Sequence, residues 1–203
     1  WFEYSVHADK HDLTWNAAGA AILATDGGLY QGVDDLASWS DLENIPCTQF
    51  YRVAINPFQP GLVYGGAQDN GSTGGGTLEE EWPRIYGGDG FQMAFHPFND
   101  GHFFAETQNG GIVITLNNGQ DWSGARNGID SDDRRNWDMQ YILSPHTPEI
   151  MYTGTYRVYQ GFDSTNPTWA PISEDLTDGL VLHPRYHSIT SIDESVLQPE
   201  LLY

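Results

Sequence analysis

Positive charge and sulfur are what this sequence has least of. Its 203 residues hold 8 Lys and Arg against 28 Asp and Glu, a net charge of -20, and Lys10 is the only lysine. Such a surface repels phosphate backbones and anionic bilayers, which argues against nucleic-acid partners. It leaves three uses of the charge: solubility in a saline exterior, attraction for divalent cations, or a cationic partner. The first is the plainest. Cys47 is the single cysteine, so neither an internal disulfide nor a thiolate metal site can form. No apolar run is long enough to insert in a membrane, and no targeting segment is visible. The apolar fraction is a modest 39%, offset by 13% aromatic residues. Glycine and proline are spread through the whole chain, as turns rather than as a disordered tract.

What is present is a repeat. Tyr51-Arg52-Val53-Ala54-Ile55-Asn56-Pro57 alternates like a strand and stops at a proline, then leads to Gly65-Gly66-Ala67-Gln68-Asp69-Asn70-Gly71. The phrase returns at Met93–Pro97 with Phe103–Gly111, and at Tyr141–Pro145 with Met151–Thr155. A weaker copy starts at Ile189 and breaks off at Tyr203. Pro57, Pro97 and Pro145 are 40 and 48 residues apart. Periods of that size made of strands and turns predict an all-β β-propeller, one four-stranded blade per repeat. The blades fall near 7–46, 47–90, 91–130 and 137–175, with a partial fifth at 180–203. Because the pattern is already under way at Trp1, the expectation is a portion of a larger propeller, completed by the rest of a longer chain.

Within a blade the strands run A to D. The second strands are clearest: Ala20–Thr25, Leu62–Ala67, Phe103–Thr107 and Ile150–Gly154. Blade two lacks a well-marked third strand, and Ser72-Thr73-Gly74-Gly75-Gly76 reads as a flexible loop. Between blades three and four, Arg126–Asn136 reads as a polar excursion.

Thr115-Leu116-Asn117-Asn118-Gly119-Gln120-Asp121-Trp122 fits Ser/Thr-x-Asp/Asn-x-Gly-x-x-Trp. Blade one keeps Asp34 and Trp39 of that pattern, and blade four keeps Asp163 and Trp169. The pattern resembles the Asp-box, or BNR, repeat of sialidase-like and sortilin-like propellers, in which a side chain caps turn N–H groups and the Trp packs into the blade. His7-Ala8-Asp9-x-His11, Thr25–Tyr30, Thr48–Arg52, Gly66–Gly71 and Gly87–Phe91 follow in order. That succession resembles secreted bacterial BNR-repeat, sortilin-like propeller proteins, often labelled glycosyl hydrolase-like. The resemblance covers about residues 1 to 155 and implies an extracellular, cell-surface or periplasmic location.

Propeller geometry places the B–C and D–A connections on one face, around the central channel. His7, Asp9 and His11 alternate in an extended segment and are the candidate metal ligands, with zinc as the ion. A calcium site using Asp26, Asp69, Asn70 or Asp89 is the oxygen-ligand alternative. Their other reading is a set of hydrogen bonds between blades. Asp69, Asp89 and Glu106 are the candidate catalytic carboxylates of a glycoside hydrolase. Asp26, Gln68, Asn70, Tyr51, Arg52, Phe91, Gln108 and Asn109 are the candidate binding residues. Phe50, Tyr51, Phe91 and Trp137 are placed to stack on sugar or peptide, although core packing between blades is the simpler role for such rings. Tyr51-Arg52-Val53-Ala54 lacks the proline of the sialidase motif, and 7 arginines on so acidic a chain are a poor basis for a sialidase.

The preferred expectation is a binding module for a protein, peptide or glycan on the channel face. A glycoside hydrolase and a structural subunit of an extracellular assembly are the alternatives.

Overall fold

The computed structural model describes residues 6–33, 36–42, 47–177 and 187–203. Asp34 and the expected opening of the fifth blade at 180–186 lie outside these residues. The chain divides into two compact units, Trp1–Gln49 and Phe50–Tyr203.

The first unit holds one antiparallel sheet, β1 (Lys10–Trp15), β2 (Ala21–Thr25), β3 (Gly28–Val33) and β4 (Ser38–Asp41), in sequential order. Its small core is Val6, Ala21, Leu23, Tyr30 and Trp39.

The second unit repeats that meander three times. Its first sheet is β5 (Arg52–Ile55), β6 (Leu62–Ala67), β7 (Gly71–Gly76) and β8 (Arg84–Tyr86). The next is β9 (Met93–Phe95), β10 (Phe103–Thr107), β11 (Gly111–Thr115) and β12 (Ser123–Gly124), and the last is β13 (Tyr141–Leu143), β14 (Ile150–Gly154), β15 (Val158–Phe162) and β16 (Thr168–Pro171). Beyond them Glu194 bridges Leu202 in antiparallel fashion. Among the described residues no helix is long and apolar enough to cross a membrane. Four-stranded sheets in sequential order are the blades that the repeat predicts.

Strand alternation explains how the blades of the second unit pack. In β10, Phe103 and Ala105 join Tyr64, Met93 and Val113 on the side of the preceding blade. Phe104 joins Ile112, Ile114, Met139, Tyr141 and Met151 on the side of the following one. β14 divides likewise, with Met151 in that cluster and Tyr152 packed with Val158 and Ile192. Both faces of a middle blade are therefore buried, as its near-continuous apolar strands require.

The glycine-rich stretch expected as a loop is instead the strand β7, paired with β6 from Ala67↔Gly71 to Leu62↔Gly76. The rings beside it give the reason. A Cβ on Gly74 would run into the ring of Tyr64, and one on Gly75 into the indole of Trp82. The strand is made of glycine because aromatic rings fill the space its side chains would take.

The Thr115–Trp122 turn is closed by its own side chains. Thr115 Oγ1 accepts the Gly119 N–H (2.9 Å), Asn117 Oδ1 accepts the Asp121 N–H (2.9 Å), and Trp122 Nε1 donates to the Gly119 carbonyl (3.0 Å). The Trp122 ring then packs on Tyr86 and Phe103.

Candidate functional site

Two hairpin turns set up the site. Asp69 (φ 61°) and Asn109 (φ 61°) adopt the left-handed conformation that Asp and Asn tolerate, after β6 and β10 respectively. Each turns its N–H toward the connection that leads into the next blade. The Asp69 N–H donates to Asp89 Oδ1 (3.0 Å), and the Asn109 N–H donates to the Trp137 carbonyl (2.8 Å). The Asp89 N–H in turn donates to Gln108 Oε1 (3.0 Å). A chain of hydrogen bonds thus joins the turns of two adjacent blades.

Two aromatic rings, Phe91 and Trp137, lie within these connections and a third, Tyr51, immediately precedes β5. Phe91 meets Tyr51 at 5.3 Å and Trp137 at 4.6 Å, Tyr51 meets Trp137 at 5.5 Å, and all three contacts are edge-to-face. Phe91 is fully buried, so it supports the other two rings rather than meeting a ligand. Its backbone lies so close to β6 that a Cβ on Gly66 would strike it. This contact gives the glycine pair in Gly65-Gly66-Ala67 its purpose. Tyr51 is 46% exposed, and its hydroxyl donates to Gln68 Oε1 (3.1 Å). Asn70 Nδ2 donates to the Gln68 carbonyl (3.0 Å).

The residues that follow two of these rings are joined by charge. Arg52 NH2 donates to Asp138 Oδ2 (2.9 Å), which ties the first strand of one blade to the entry of the blade two further on. With its amide oxygen toward Arg52, Gln140 accepts from NH1 (2.9 Å), while its nitrogen donates to Ser191 Oγ (3.3 Å). Gln92 Nε2 donates to the Tyr141 carbonyl (2.6 Å), and the Tyr141 hydroxyl returns a bond to the Gln92 carbonyl (3.2 Å).

Glu106, expected among the exposed carboxylates, is completely buried. It sits in β10 with the parity of Phe104, so its side chain faces the following blade, where Oε1 accepts the Met139 N–H (2.7 Å). Burial, followed by the nearby Asp138, pushes its carboxyl well above the usual range. Of the three candidate catalytic acids, Glu106 is sealed inside and Asp89 holds a turn.

The expected ligand set His7, Asp9 and His11 does not converge. Among the described residues, no grouping of three ligand atoms includes either histidine. Asp9 is left-handed (φ 53°), and the β1–β2 register shifts between Lys10 and Asp12, so the alternation needed to aim all three one way is broken. The His7 ring lies against Gly27. His11 Nε2 pairs with Asp26 Oδ1, and that contact raises the pKa of His11.

Two buried clusters were not singled out from sequence. Asp133, in the excursion between blades three and four, accepts from Tyr159 OH (2.6 Å), Thr155 Oγ1 (2.9 Å), and Arg157 Nε and NH2 (3.0 Å each). Burial opposes its charge, but the bonds from Arg157, Tyr159 and Thr155 more than reverse that and hold its carboxyl below the usual value. This knot fastens the excursion to β15. Asp163, assigned from sequence to a turn of blade four, lies 3.0 Å from His102 Nε2 and 3.9 Å from His96 Nε2, and all three side chains are largely buried. The Phe98 N–H donates to His96 Nδ1 (3.1 Å), which leaves the proton of the neutral ring on Nε2 and removes that atom as a metal ligand. Only the spacing of single acids would have marked either cluster, and an acidic chain has many.

No family model matches the sequence, and no curated protein matches it. Solved structures do match. An ancestral GH74 enzyme superposes on 85% of this chain and 25% of its own, at 17% identity and a TM-score of 0.52. The extracellular domain of a B. thetaiotaomicron protein assigned as a hybrid two component system covers 85% of this chain and 22% of its own, at 14% identity and a TM-score of 0.50. The chain folds as propeller blades. It spans about a quarter of the length of these structures, and identities this low carry the fold and nothing finer. On the blades, the Tyr51–Trp137 cluster occupies the connections from one blade to the next, where a propeller carries its most variable loops.

Proposed function

We propose that this chain is the glycan-binding portion of an extracellular propeller protein, with the sugar held on the face that carries Tyr51, Trp137, Gln68, Asn70 and Gln108. The observation that carries this reading is the half-exposed Tyr51 ring, fixed edge-to-face against two others beside planar amides. An immobilised aromatic ring suits the apolar face of a pyranose, and neighbouring amides suit its hydroxyls. The fold likeness to a GH74 glycoside hydrolase and to an extracellular domain supports both the sugar and the location. The Thr115–Trp122 turn supports a place among the Asp-box propellers. Binding is favoured over hydrolysis because Glu106 and Asp89 are committed to the fold.

Affinity electrophoresis against a panel of plant and bacterial polysaccharides tests the reading. We expect saturable retardation by at least one of them, weakened about tenfold in Tyr51→Ala, equivalent to about 1.4 kcal/mol. Tyr51→Phe, which keeps the ring, should retain most of it. No retardation by any polysaccharide would overturn the reading. Release of reducing sugar that Asp69→Asn or Asp89→Asn abolishes would replace it with hydrolysis.

A further inference from the structure

Beneath the aromatic face, polar atoms are buried without partners in one place. Glu106 Oε2, Asp138 Oδ1 and Arg52 Nε are all enclosed and make no hydrogen bond, although the other atoms of these groups are engaged. Glu106 Oε1 takes the Met139 N–H, and Asp138 Oδ2 takes Arg52 NH2. The Met139 N–H that holds Glu106 belongs to the residue after Asp138, and two neighbouring carboxylates with one unmet acceptor each in a desolvated site are costly unless a proton lies between them. One hydrogen on Glu106 Oε2 meets both needs, since it turns one acceptor into a donor for the other.

We propose that Glu106 is a protonated acid that donates its hydrogen to Asp138, and that this shared proton holds the Arg52–Asp138 pair on which the spacing of Tyr51 and Trp137 depends. The covalent order of the chain makes the link. Arg52 follows Tyr51, and Asp138 follows Trp137, so the ion pair fixes the backbone next to both the exposed Tyr51 ring and the half-buried Trp137 ring. Glu106 is then a positioning residue for the binding face. For its effect on ligand, the inference rests on the glycan-binding reading; for the proton itself, it does not.

The groups that face Glu106 are Asp138, Arg52 and the fully buried Tyr141, together with the Met139 and Gln92 backbone. Only Arg52 is a cation, and its guanidinium is already bound to Asp138. Removing the proton therefore sets two carboxylates against each other. A group kept neutral in the folded state while the unfolded chain ionises takes stability away as pH rises. The loss begins at the ordinary glutamate value of 4.5 and is complete at the higher folded value.

The test needs no ligand. Glutamine imitates the protonated acid, with an oxygen for the Met139 N–H and an N–H for Asp138. Thermal melts of wild type and Glu106→Gln are compared from about pH 5 to about pH 8, above the pI of about 4.3. The variant should gain on wild type as pH rises, by about 3 °C or more across that range. Carbon NMR of glutamate-labelled protein should show one carboxyl still protonated where the others have ionised, and Asp138→Asn should move its titration downward. Parallel melting curves, or every glutamate titrating in the ordinary range, would overturn the proposal. Should Glu106→Gln not fold, the NMR of the unaltered protein decides alone. With a retarding polysaccharide in hand, binding by wild type should fall at high pH while binding by Glu106→Gln persists. Equal pH dependence in both would sever the proton from the binding face and leave binding itself untouched.

Discussion

Asp133 and Glu106 are both carboxylic acids buried along the third and fourth blades, and they behave in opposite ways. Asp133 receives four hydrogen bonds from three side chains and is held ionised below its ordinary range. Glu106 takes the Met139 N–H on Oε1, has only backbone groups as hydrogen-bond partners, faces a second acid, and is pushed well above its range. Burial is common to the two, so it is the count and sign of the partners that decides the charge. The molecule thereby carries one group that fails in acid and one that costs stability in base.

The largest effect should come from taking Asp133 away. Asp133→Ala strands Arg157, Tyr159 and Thr155 and should cost about 3–5 kcal/mol, a fall in melting temperature of roughly 10 °C. Asp133→Asn should also destabilise, whereas the equivalent neutral isostere at Glu106 should stabilise at high pH. Equal signs for the two amide substitutions would break the comparison. Next in size is Arg157→Leu, which makes Asp133 resemble Glu106 by removing its cation. A loss of about 2–3 kcal/mol is expected, with Tyr159 and Thr155 still donating. The acid branch of the stability profile should flatten as well. That branch follows from linkage: a depressed folded pKa gives stability that is present above 3.8 and lost as pH falls through the folded value. The smallest effect belongs to His11 and Asp26, an exposed pair whose attraction is screened by solvent. A raised histidine pKa gives stability that is present below 6.5 and lost as pH rises through the folded value. Amide exchange near Lys10 should quicken slightly over that range, and His11→Asn should remove the dependence without a measurable change in melting.

Much of the fold was legible because its signals are local. The second strands Leu62–Ala67, Phe103–Thr107 and Ile150–Gly154 are found where the alternation and the turn residues put them. Residues 72–76 were misread because glycine is a turn signal by propensity. Nothing in the local sequence shows that the rings of Tyr64 and Trp82 will occupy the space above it. The site was legible in part. Gln68, Asp89, Gln108 and Asn109 were named from the turn pattern and Tyr51 as a channel-side aromatic, and they are joined by hydrogen bonds or ring contacts. Phe91 and Glu106 were named with them and are buried. Parity could have warned of Glu106, since it shares a face of β10 with Phe104. Asp133 was passed over because its partners lie 22 to 26 residues away, in the turn between β14 and β15 and in β15 itself.

By itself, then, the amino-acid sequence determined what a few neighbouring residues can decide: the period, the alternation of faces and the turns at Asp69 and Asn109. Tertiary structure alone decided which acids keep a proton, which aromatic rings stay exposed, and whether a run of glycine becomes a strand. Each of these depends on atoms brought in from another strand or another blade, and a carboxyl group's charge or a strand's clearance is set by whatever arrives there.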